Sequence, residues 1–307
     1  MDGMNKVVIA GGSGFVGGAV SKLLTEEGFQ VVHLGRTPKP NSKYPLVVWD
    51  GVHLGPWKEE LEGCVGVINL AGTSISKPWT EANKKSIVES RVFATKVLGE
   101  AIAACQTPPK VWVNASAVGY YGDRGENLLT EQSAPGNKGN FLVDTCVAWE
   151  TTFKTSVTPN TRKNIIRTGF VIGNDGGAFP ILTKLTKYFL GGSHGSGQQY
   201  MSWIHVNDIA KMYLACLTTE MPEVLNGAAP NPVTNNEFMA SMRAVLNRPW
   251  SPPAPVFALK IAEIFGAPDS SLLLTSTRAI PSAVQATDFA FSYVHLRDAL
   301  ADLLLSS

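Results

Sequence analysis

The sequence predicts an α/β protein built on a doubly wound parallel sheet, and two features of the 307-residue chain carry this prediction. Apolar runs rich in valine and isoleucine recur over the first 172 residues, and helical patterns separate several of them, which is typical of strand–helix–strand units. The runs show little polar alternation, as in strands that helices cover on both faces. Right-handed crossovers between such parallel strands then give a doubly wound sheet.

The predicted elements follow in order along the chain. Strands are predicted at residues 6–10, 30–34, 46–49, 65–70, 110–115 and 164–172. The longest predicted helix covers residues 80–104, where an apolar stripe recurs at helical spacing, formed by Ile87, Val88, Val97, Leu98 and Ile102. A further helix is predicted from about residue 141 to 153, and another starts near Asn207, where Asn207 and Asp208 are expected to cap exposed amide groups.

The pattern changes after residue 172. Two glycine-rich loops occupy residues 173–177 and 191–197, and Thr234 with Glu237 has the spacing of a capping box that opens a helix to about Leu246. Prolines make residues 249–255 a stiff connector, and helices are predicted to follow. We therefore predict a Rossmann-like nucleotide-binding domain over residues 1–172, with contributions from about 200–228. Residues 173–307 are predicted to form a smaller, mostly helical lid for the substrate.

The first predicted strand runs directly into a Gly-x-x-Gly-x-x-Gly pattern. The first glycine lets the chain turn off the strand, the second leaves room for a pyrophosphate, and the third lets helix and strand pack closely. The phosphate then rests on the amino end of the helix. The pattern predicts a bound dinucleotide, contacted by Gly11, Ser13, Gly14, Phe15, Val16 and Gly17.

The end of the second strand indicates which dinucleotide is bound. Enzymes that prefer NAD carry an acidic residue about 20 positions beyond the glycines, whereas this chain has Arg36 and Thr37 there. A guanidinium and a hydroxyl suit the 2′-phosphate of NADP, although Arg36 is also explained as a solvated charge at a strand end. Asp50, after the third strand, is a candidate to hold the adenine amine or to cap the following turn.

Composition limits the classes of partner. The formal net charge is +1 with no long basic run, so nucleic acid is not expected to bind. No stretch approaches the ~20 apolar residues of a membrane span, and the chain enters a strand too soon after Met1 for a signal peptide. The four widely spaced cysteines argue against a zinc site and a disulfide framework. We expect no metal and a cytoplasmic location, with an organelle matrix left open.

Further motifs follow the fourth and fifth strands. Leu70, Ala71 and Gly72 follow the fourth, and Ser116 begins a Ser-Ala-Val-Gly-Tyr-Tyr-Gly segment at the end of the fifth. With Arg-Thr-Gly at 167–169, Trp-Ile-His-Val at 203–206 and Asn-Gly-Ala-Ala-Pro at 226–230, they resemble the extended short-chain dehydrogenase/reductases of the NAD-dependent epimerase/dehydratase family. The combination resembles an atypical epimerase-like subgroup whose bacterial members were named cell-division inhibitors, with an animal branch of poorly defined function. The resemblance adds Leu70, Ala71, Gly72 and Ser116 to the expected cofactor contacts.

The resemblance implies hydride transfer between a nicotinamide and a carbon that bears oxygen. Such enzymes use a hydroxyl residue, a tyrosine that moves the proton, and a lysine four residues later that lowers the tyrosine pKa. Counted back from Trp149 and Glu150, the tyrosine and lysine positions fall at Leu142 and Cys146, and neither side chain can replace the missing group. The hydroxyl position aligns with Ala117, one residue after Ser116. The chain therefore departs from the family at the catalytic residues.

Three side chains are candidates to take over. Tyr121 could act as the acid, although it could equally cover the pocket. Ser116 could polarise a carbonyl, and His205 could move a proton or could tie a strand to the lid. Cys146 is either a reactive thiol or a small buried apolar residue.

Three functions remain open. The first is an NADP-dependent oxidoreductase or epimerase with an altered proton-transfer group, acting on an unknown small oxygenated molecule. The second is a catalytically weak NADP(H)-binding sensor or regulator of a partner. The third is a structural protein without nucleotide. The substrate and the oligomeric state cannot be read from the sequence.

Overall fold

The computed structural model describes residues 5–38, 42–265 and 269–305. Its centre is a seven-stranded sheet with strand order β11-β7-β5-β4-β1-β2-β3, in which each neighbouring pair is parallel. Its strands are β1 (Lys6–Ala10), β2 (Gln30–Gly35), β3 (Leu46–Val48), β4 (Gly66–Asn69), β5 (Val111–Ala117), β7 (Arg162–Thr168) and β11 (Val224–Gly227). The sheet winds outward in both directions from β1, so the predicted doubly wound, Rossmann-like fold class is confirmed.

Short strand pairs lie outside this sheet. They are formed by β6 (Leu128–Leu129), β8 (Phe170–Ile172), β9 (Tyr200–Met201), β10 (Trp203–His205), β12 (Val233–Thr234) and β13 (Arg278–Ala279). β10 pairs with β8, β12 with β9, and β13 with β6. The last pair links the C-terminal region to the loop after β5. The proposed boundary at residue 172 stays a prediction, and β11 shows that later chain returns to the edge of the central sheet.

The helices are α1 (Phe15–Glu26), α2 (Glu81–Ala103), α3 (Phe141–Thr155), α4 (Phe179–Lys187), α5 (Val206–Thr218), α6 (Asn235–Val245), α7 (Val256–Ile264), α8 (Ser271–Leu274), α9 (Ser282–Gln285) and α10 (Leu296–Leu305). Short 3-10 helices cover Pro56–Leu61 and Val118–Tyr121. The predicted long helix begins one residue later than expected because Thr80 is its N-cap and accepts a hydrogen bond from the Asn83 amide.

Two predicted helix starts have different outcomes. The capping box at the start of α6 is confirmed, because the Thr234 hydroxyl accepts from the Glu237 amide while the Glu237 carboxylate accepts from the Thr234 amide. The cap expected from Asn207 and Asp208 is wrong. His205 is the N-cap of α5, and its ring nitrogen accepts from the Asn207 amide. Asp208 is buried and accepts from two amides of the chain at residues 292 and 293.

Helices cover both faces of the central sheet, which explains why its strands lack polar alternation. α1 packs beside α5 on one face, and α2 packs beside α3 on the other. The first layer buries Val7, Ile9, Val20, Leu24, Met212 and Tyr213. The second buries Val8, Leu34, Leu98, Trp112 and Phe153. A separate C-terminal cluster contains Phe179, Trp203, Phe238 and Leu300. The sheet is therefore a rigid platform whose carboxyl edge holds the loops.

A buried ion pair ties α3 to the central sheet. The Nε and Nη2 atoms of Arg167, on β7, each donate to a carboxylate oxygen of Glu150, on α3, at 2.8 Å. Both side chains are only 3% exposed. Because the pair is bidentate, it fixes the orientation of both side chains as well as compensating their charges.

The packing role of Gly17, the third glycine of the pattern, can be tested by comparison with the adjacent Gly18. A Cβ atom on Gly17 would lie 2.7 Å from the Gly11 carbonyl oxygen and from Gly12 backbone atoms, whereas one on Gly18 would meet nothing within 4 Å. We expect Gly17→Ala to lower the free energy of unfolding by about 1 to 3 kcal/mol through overpacking. Gly18→Ala should raise it by up to about 1 kcal/mol through helix propensity. Urea unfolding of both variants checks this, and equal effects would contradict the packing role of Gly17.

The buried pair yields a second prediction. Glu150→Gln leaves the Arg167 charge without its partner in a dry environment, and we expect a loss of about 3 to 5 kcal/mol in the free energy of unfolding. The matched control is Glu100→Gln. Glu100 pairs with Lys96 at 3.9 Å on the exposed side of α2, and its loss should change stability by less than about 0.5 kcal/mol. Equal effects in urea unfolding would show that the buried pair is not stabilising.

Candidate functional site

The turn between β1 and α1 depends on backbone that only glycine allows. Gly11 has a φ of 78°, and a Cβ atom there would lie 2.8 Å from the carbonyl of Leu70. The Gly11 amide donates to the Leu34 carbonyl, and the Gly14 amide donates to the Gly11 carbonyl, each at 3.1 Å. The predicted strand, turn and helix are thus present, and the turn lies directly against the chain that leaves β4.

The amino end of α1 is open to a ligand. Gly14 is its N-cap and provides no side-chain hydrogen bond, and the first turn contains no acidic residue. Ser13 and Gly14 are exposed, while Phe15 and Val16 are half-buried. The first amides of a helix lack intrahelical partners and attract anions. This geometry can hold a phosphate.

The side chain of Phe15 contacts a second segment of the chain. Its ring fills the space beside a loop of glycines, where a Cβ atom on Gly173 or Gly176 would lie 2.7 or 2.8 Å from Phe15 atoms. One at Gly177 would lie 3.4 Å away. The start of α1 is therefore packed against the loop that follows β8.

A cleft of about 400 Å³ lies beyond β2 and β3, and Arg36, Trp49, Asp50 and Trp57 contribute to its lining. Arg36 and Thr37 are exposed at the end of β2. The position suits the adenosine end of a dinucleotide, because ligands of such sheets lie outside the carboxyl ends of the strands.

Asp50 is occupied with its own turn. Its Oδ1 accepts from the Val52 and His53 amides at 2.8 Å, and its Oδ2 lies 2.6 Å from the His53 Nδ1. These hydrogen bonds, led by the one from the His53 amide, lower the pKa of Asp50 to about 2. The geometry favours the turn-capping alternative, and a contact with adenine stays a prediction.

The chain beyond β4 is held by a buried amide network. The Asn69 side chain donates to Asn114 at 2.7 Å and to Thr95 at 3.0 Å, and its Oδ1 accepts from the Ala71 amide. The Leu70 amide donates to the Ala10 carbonyl at 2.8 Å. Leu70 and Ala71 are thereby fixed beside the glycine turn.

Arg91 is a further candidate residue, beside Gly72, that the sequence analysis did not single out. Its guanidinium carbon lies 3.0 Å from the position of a Cβ atom on Gly72, and its Nη1 donates to the carbonyls of Thr73 and Ile87. Burial lowers its pKa. Arg91 falls four residues after Ile87, on the apolar stripe of α2, and a cation on that stripe was a signal that could have revealed it.

Ser116 ends β5 in a buried position. Its hydroxyl donates to the Glu150 carboxylate at 2.8 Å, and the residue is 3% exposed. Its proton is therefore held by the ion pair between Glu150 and Arg167. In this geometry Ser116 supports the site and does not present a free donor.

The structure places Tyr121 in the core, with no exposed surface. Its hydroxyl donates to the Asn226 side chain at 2.7 Å and accepts from Arg167 at 3.0 Å. Burial is the main cause that raises the pKa of Tyr121 to about 12. A buried phenol with both hydrogen bonds satisfied is poorly suited to proton transfer, so these contacts favour the structural alternative for Tyr121, and its acid role stays a prediction.

Leu142 and Cys146 lie where the helix α3 faces the end of β5. A Cβ atom on Gly119 would be 3.5 Å from the Leu142 Cβ and 3.9 Å from the Cys146 Sγ. Burial raises the pKa of Cys146 to about 12, so its thiol is neutral. The contacts favour the small buried apolar residue over the reactive thiol.

His205 contacts the C-terminal segment. It is 1% exposed, its Nε2 lies 3.3 Å from an Asp302 carboxylate oxygen, and its ring centroid is 4.1 Å from that of Tyr293. Burial lowers its pKa. With its other nitrogen capping α5, these contacts favour the tie between strand and lid over acid–base catalysis.

The described residues lack two kinds of feature, a metal-binding cluster and a membrane-spanning helix. No group of three or more His, Cys, Asp or Glu side chains within 5–38, 42–265 and 269–305 is placed to hold a metal ion. In the same part of the chain, no helix combines the length and apolar character needed to cross a membrane.

Known proteins resemble this chain over nearly its full length. Epimerase family protein SDR39U1 from Homo sapiens is 32% identical over 97% of this chain and 99% of its own length. Epimerase family protein YfhF from Bacillus subtilis is 34% identical over 97% of each chain. The SDR39U1 homolog of Arabidopsis thaliana, named as chloroplastic, is 33% identical over 97% of this chain and 86% of its own.

A solved structure of one of these relatives also resembles this chain. The crystal structure of human SDR39U1 (isoform 2) with NADPH has a TM-score of 0.89 and 32% identity, and it covers 98% of this chain and 100% of that one. A model of the DUF1731 domain of unknown function matches residues 254–303, and a model of the NAD dependent epimerase/dehydratase family matches residues 7–140. The resemblance inferred from the motifs is therefore confirmed, and the chain belongs to the epimerase family.

Proposed function

We propose that this protein binds NADP(H) and is an oxidoreductase or epimerase that acts on a small oxygenated substrate. The open amino end of α1, which Gly14 leaves without a side-chain cap, is the observation that carries the proposal. The space beside Gly11 and the cleft lined by Arg36 also suit the pyrophosphate and the adenosine end of a dinucleotide. The human relative, crystallised with NADPH, supports the choice of cofactor.

Each part of the site has a role toward the cofactor. The amides at the start of α1 bind the pyrophosphate, and the charge of Arg36 favours a 2′-phosphate. Leu70 and Ala71 form a wall beside it. When bound, the nicotinamide supplies or accepts a hydride.

Arg91 compensates in part for the missing lysine. Its guanidinium lies over the Trp149 ring at 5.2 Å, and Trp149 is on the same helix, α3, as Cys146. It therefore places a positive charge near the position where the family carries the lysine. A charge there helps to hold the nicotinamide ribose, although it does not supply an acid.

A catalytically weak NADP(H)-binding protein is the second candidate. It is favoured by the replacement of the tyrosine and lysine with Leu142 and Cys146, and by the burial of Tyr121. Such a protein would bind the cofactor and report its redox state. An oxidoreductase or epimerase would convert a substrate repeatedly, whereas the binding protein would hold NADP(H) with little or no turnover.

The proposal also covers the class of molecule that the protein binds and the compartment in which it works. We propose a small-molecule substrate and no nucleic acid, because the net charge is only +1. The four cysteines are free thiols, which suits a reducing compartment such as the cytoplasm or an organelle matrix.

The cofactor preference can be measured directly. We expect NADPH to bind more tightly than NADH, and Arg36→Ala to weaken NADPH about tenfold or more while leaving NADH unchanged, because only NADPH carries the 2′-phosphate. The matched control is Arg297→Ala, which removes an exposed arginine from α10. Fluorescence titration of the unaltered chain and the two variants with each cofactor gives the six dissociation constants. Equal affinity for the two cofactors in the unaltered chain would contradict the assignment.

Arg91 gives an independent prediction. Arg91→Leu should weaken NADPH binding about tenfold because it removes a charge near the cofactor, whereas Arg91→Lys should retain part of the affinity. Lys85→Leu, which removes an exposed cation from the same helix, should have little effect. Fluorescence titration with circular dichroism as a folding check provides the measurement, and a folded Arg91→Leu variant with unchanged affinity would refute the role.

A further inference from the structure

The turn between β1 and α1 contains a glycine that the Gly-x-x-Gly-x-x-Gly pattern does not require. The pattern uses Gly11, Gly14 and Gly17, whereas Gly12 occupies one of its free positions. The φ of Gly12 lies outside the left-handed region, unlike that of Gly11, so left-handed backbone does not explain why a side chain is absent there. The explanation lies in the side chains that surround Gly12.

The ring of His33 fills the space where a side chain on residue 12 would lie. A Cβ atom on Gly12 would be 2.5 Å from the His33 Nε2 and 2.7 Å from its Cγ. His33 belongs to β2, lies opposite Ile9 of β1 and is only 2% exposed. The Tyr44 ring contacts it at 4.9 Å between ring centroids. A side chain on residue 12 would therefore press against a buried, packed ring, and the turn would have to move.

Hydrogen bonds connect the same ring to the first turn of α1. The Ser21 hydroxyl donates to the Gly17 carbonyl at 2.6 Å, and its oxygen lies 2.7 Å from the His33 Nε2. A hydroxyl has a single proton to donate, and here Gly17 receives it. The Nε2 atom therefore carries a proton and donates it in a hydrogen bond to Ser21. Ser21 has no exposed surface, so water does not compete for either bond.

His33 thus acts on the turn at two places. It contacts Gly12 directly, and it reaches Gly17 through Ser21. Between these two places lies the open amino end of α1, where Gly14 leaves the first amides without a side-chain cap. A change at either place alters the direction of those amides, and their direction determines how well they bind an anion.

We propose, on the basis of the NADP(H) binding proposed above, that His33 is a positioning residue for the dinucleotide. It acts through Gly12 and Ser21 and holds the turn where the amides at the start of α1 meet the pyrophosphate. This role differs from that of Arg36, whose charge favours the 2′-phosphate. The pyrophosphate is common to NADPH and NADH, so His33 affects the binding of both cofactors.

A histidine that only fills the core is the alternative. Loss of such a residue lowers the free energy of unfolding, and it weakens cofactor binding only when a large fraction of the chain is unfolded. A positioning residue behaves differently, because a small displacement of the binding groups weakens the complex of a fully folded protein. The two roles are therefore separated by the cofactor affinity of folded variants.

Substitution of His33 is the first test. We expect His33→Leu to weaken NADPH and NADH by the same factor, at least about tenfold, in a chain that circular dichroism and urea unfolding show to be folded. His33→Gln should retain part of the affinity, because its amide N–H can still donate to Ser21. His295→Leu, at an exposed histidine, is the matched control and should leave both dissociation constants unchanged. Arg36→Ala should weaken NADPH alone.

Ser21 provides a second test on the hydrogen bonds. Ser21→Ala should weaken both cofactors about threefold or more, because the His33 donor loses its acceptor. Thr25→Ala is the matched control. Thr25 makes the same kind of bond on α1, from its hydroxyl to the carbonyl four residues earlier, at 2.8 Å, but its partner is the Ser21 backbone. Its removal should leave the affinity unchanged.

A double-mutant cycle tests the contact with Gly12. Gly12→Ala in the unaltered chain should weaken NADPH at least about tenfold, whereas the same change in a His33→Ala background should cost less than about threefold, because the clash is gone. Equal costs in the two backgrounds, or a folded His33→Leu variant with unchanged affinity, would overturn the positioning role.

Folding defects also have a defined outcome. If Gly12→Ala does not fold, recovery of both folding and NADPH binding in the double variant would support the contact, and failure to recover would count against it. If neither His33→Leu nor His33→Ala folds, His33 is a core residue and the proposal fails. Absence of NADPH binding by the unaltered chain would instead refute the proposed function, so the two failures are distinguishable.

Discussion

The ion pair between Glu150 and Arg167 determines how the polar groups around it are used. A buried bidentate pair needs its remaining donors and acceptors satisfied, and Ser116 and Tyr121 provide those hydrogen bonds. Arg167 also lies 3.5 Å from the Tyr120 ring centre. The hydroxyls of Ser116 and Tyr121 are therefore committed to structure. One interaction thus connects the stability of the fold to the positions of two hydroxyls near the end of β5.

Much of the fold could be predicted because the sequence carries local signals for it. Buried parallel strands read as continuous apolar runs, and the capping box at Thr234 and Glu237 fixes a helix start through its own side chains. The cap of α5 was misjudged because it is His205, a residue type that rarely plays this role in comparison with Asn or Asp. Asn207 and Asp208 are common capping residue types next to the helix start, so the sequence favoured them over His205.

The site was predictable where backbone geometry defines it and less so where distant side chains meet. The turn at Gly11 and Gly14 could be predicted because glycine patterns encode backbone shape, whereas the contacts of these residues with a cofactor stay predictions. The partners of Tyr121 could not, because Asn226 lies 105 residues away along the chain and reaches it only through the folded sheet edge. Arg91 could have been found as a charge on an apolar stripe, but its approach to Gly72 required the tertiary structure.

Phe15 joins two regions that the chain separates by more than a hundred residues. Its backbone belongs to the first turn of α1, while its ring occupies the space left by Gly173 and Gly176. A shift of that loop toward the ring would press on the turn between β1 and α1, and a displacement of the turn would open a void beside the loop. The start of α1 and the loop after β8 are therefore packed so closely through one aromatic side chain that neither can be displaced without a change in the contacts of the other.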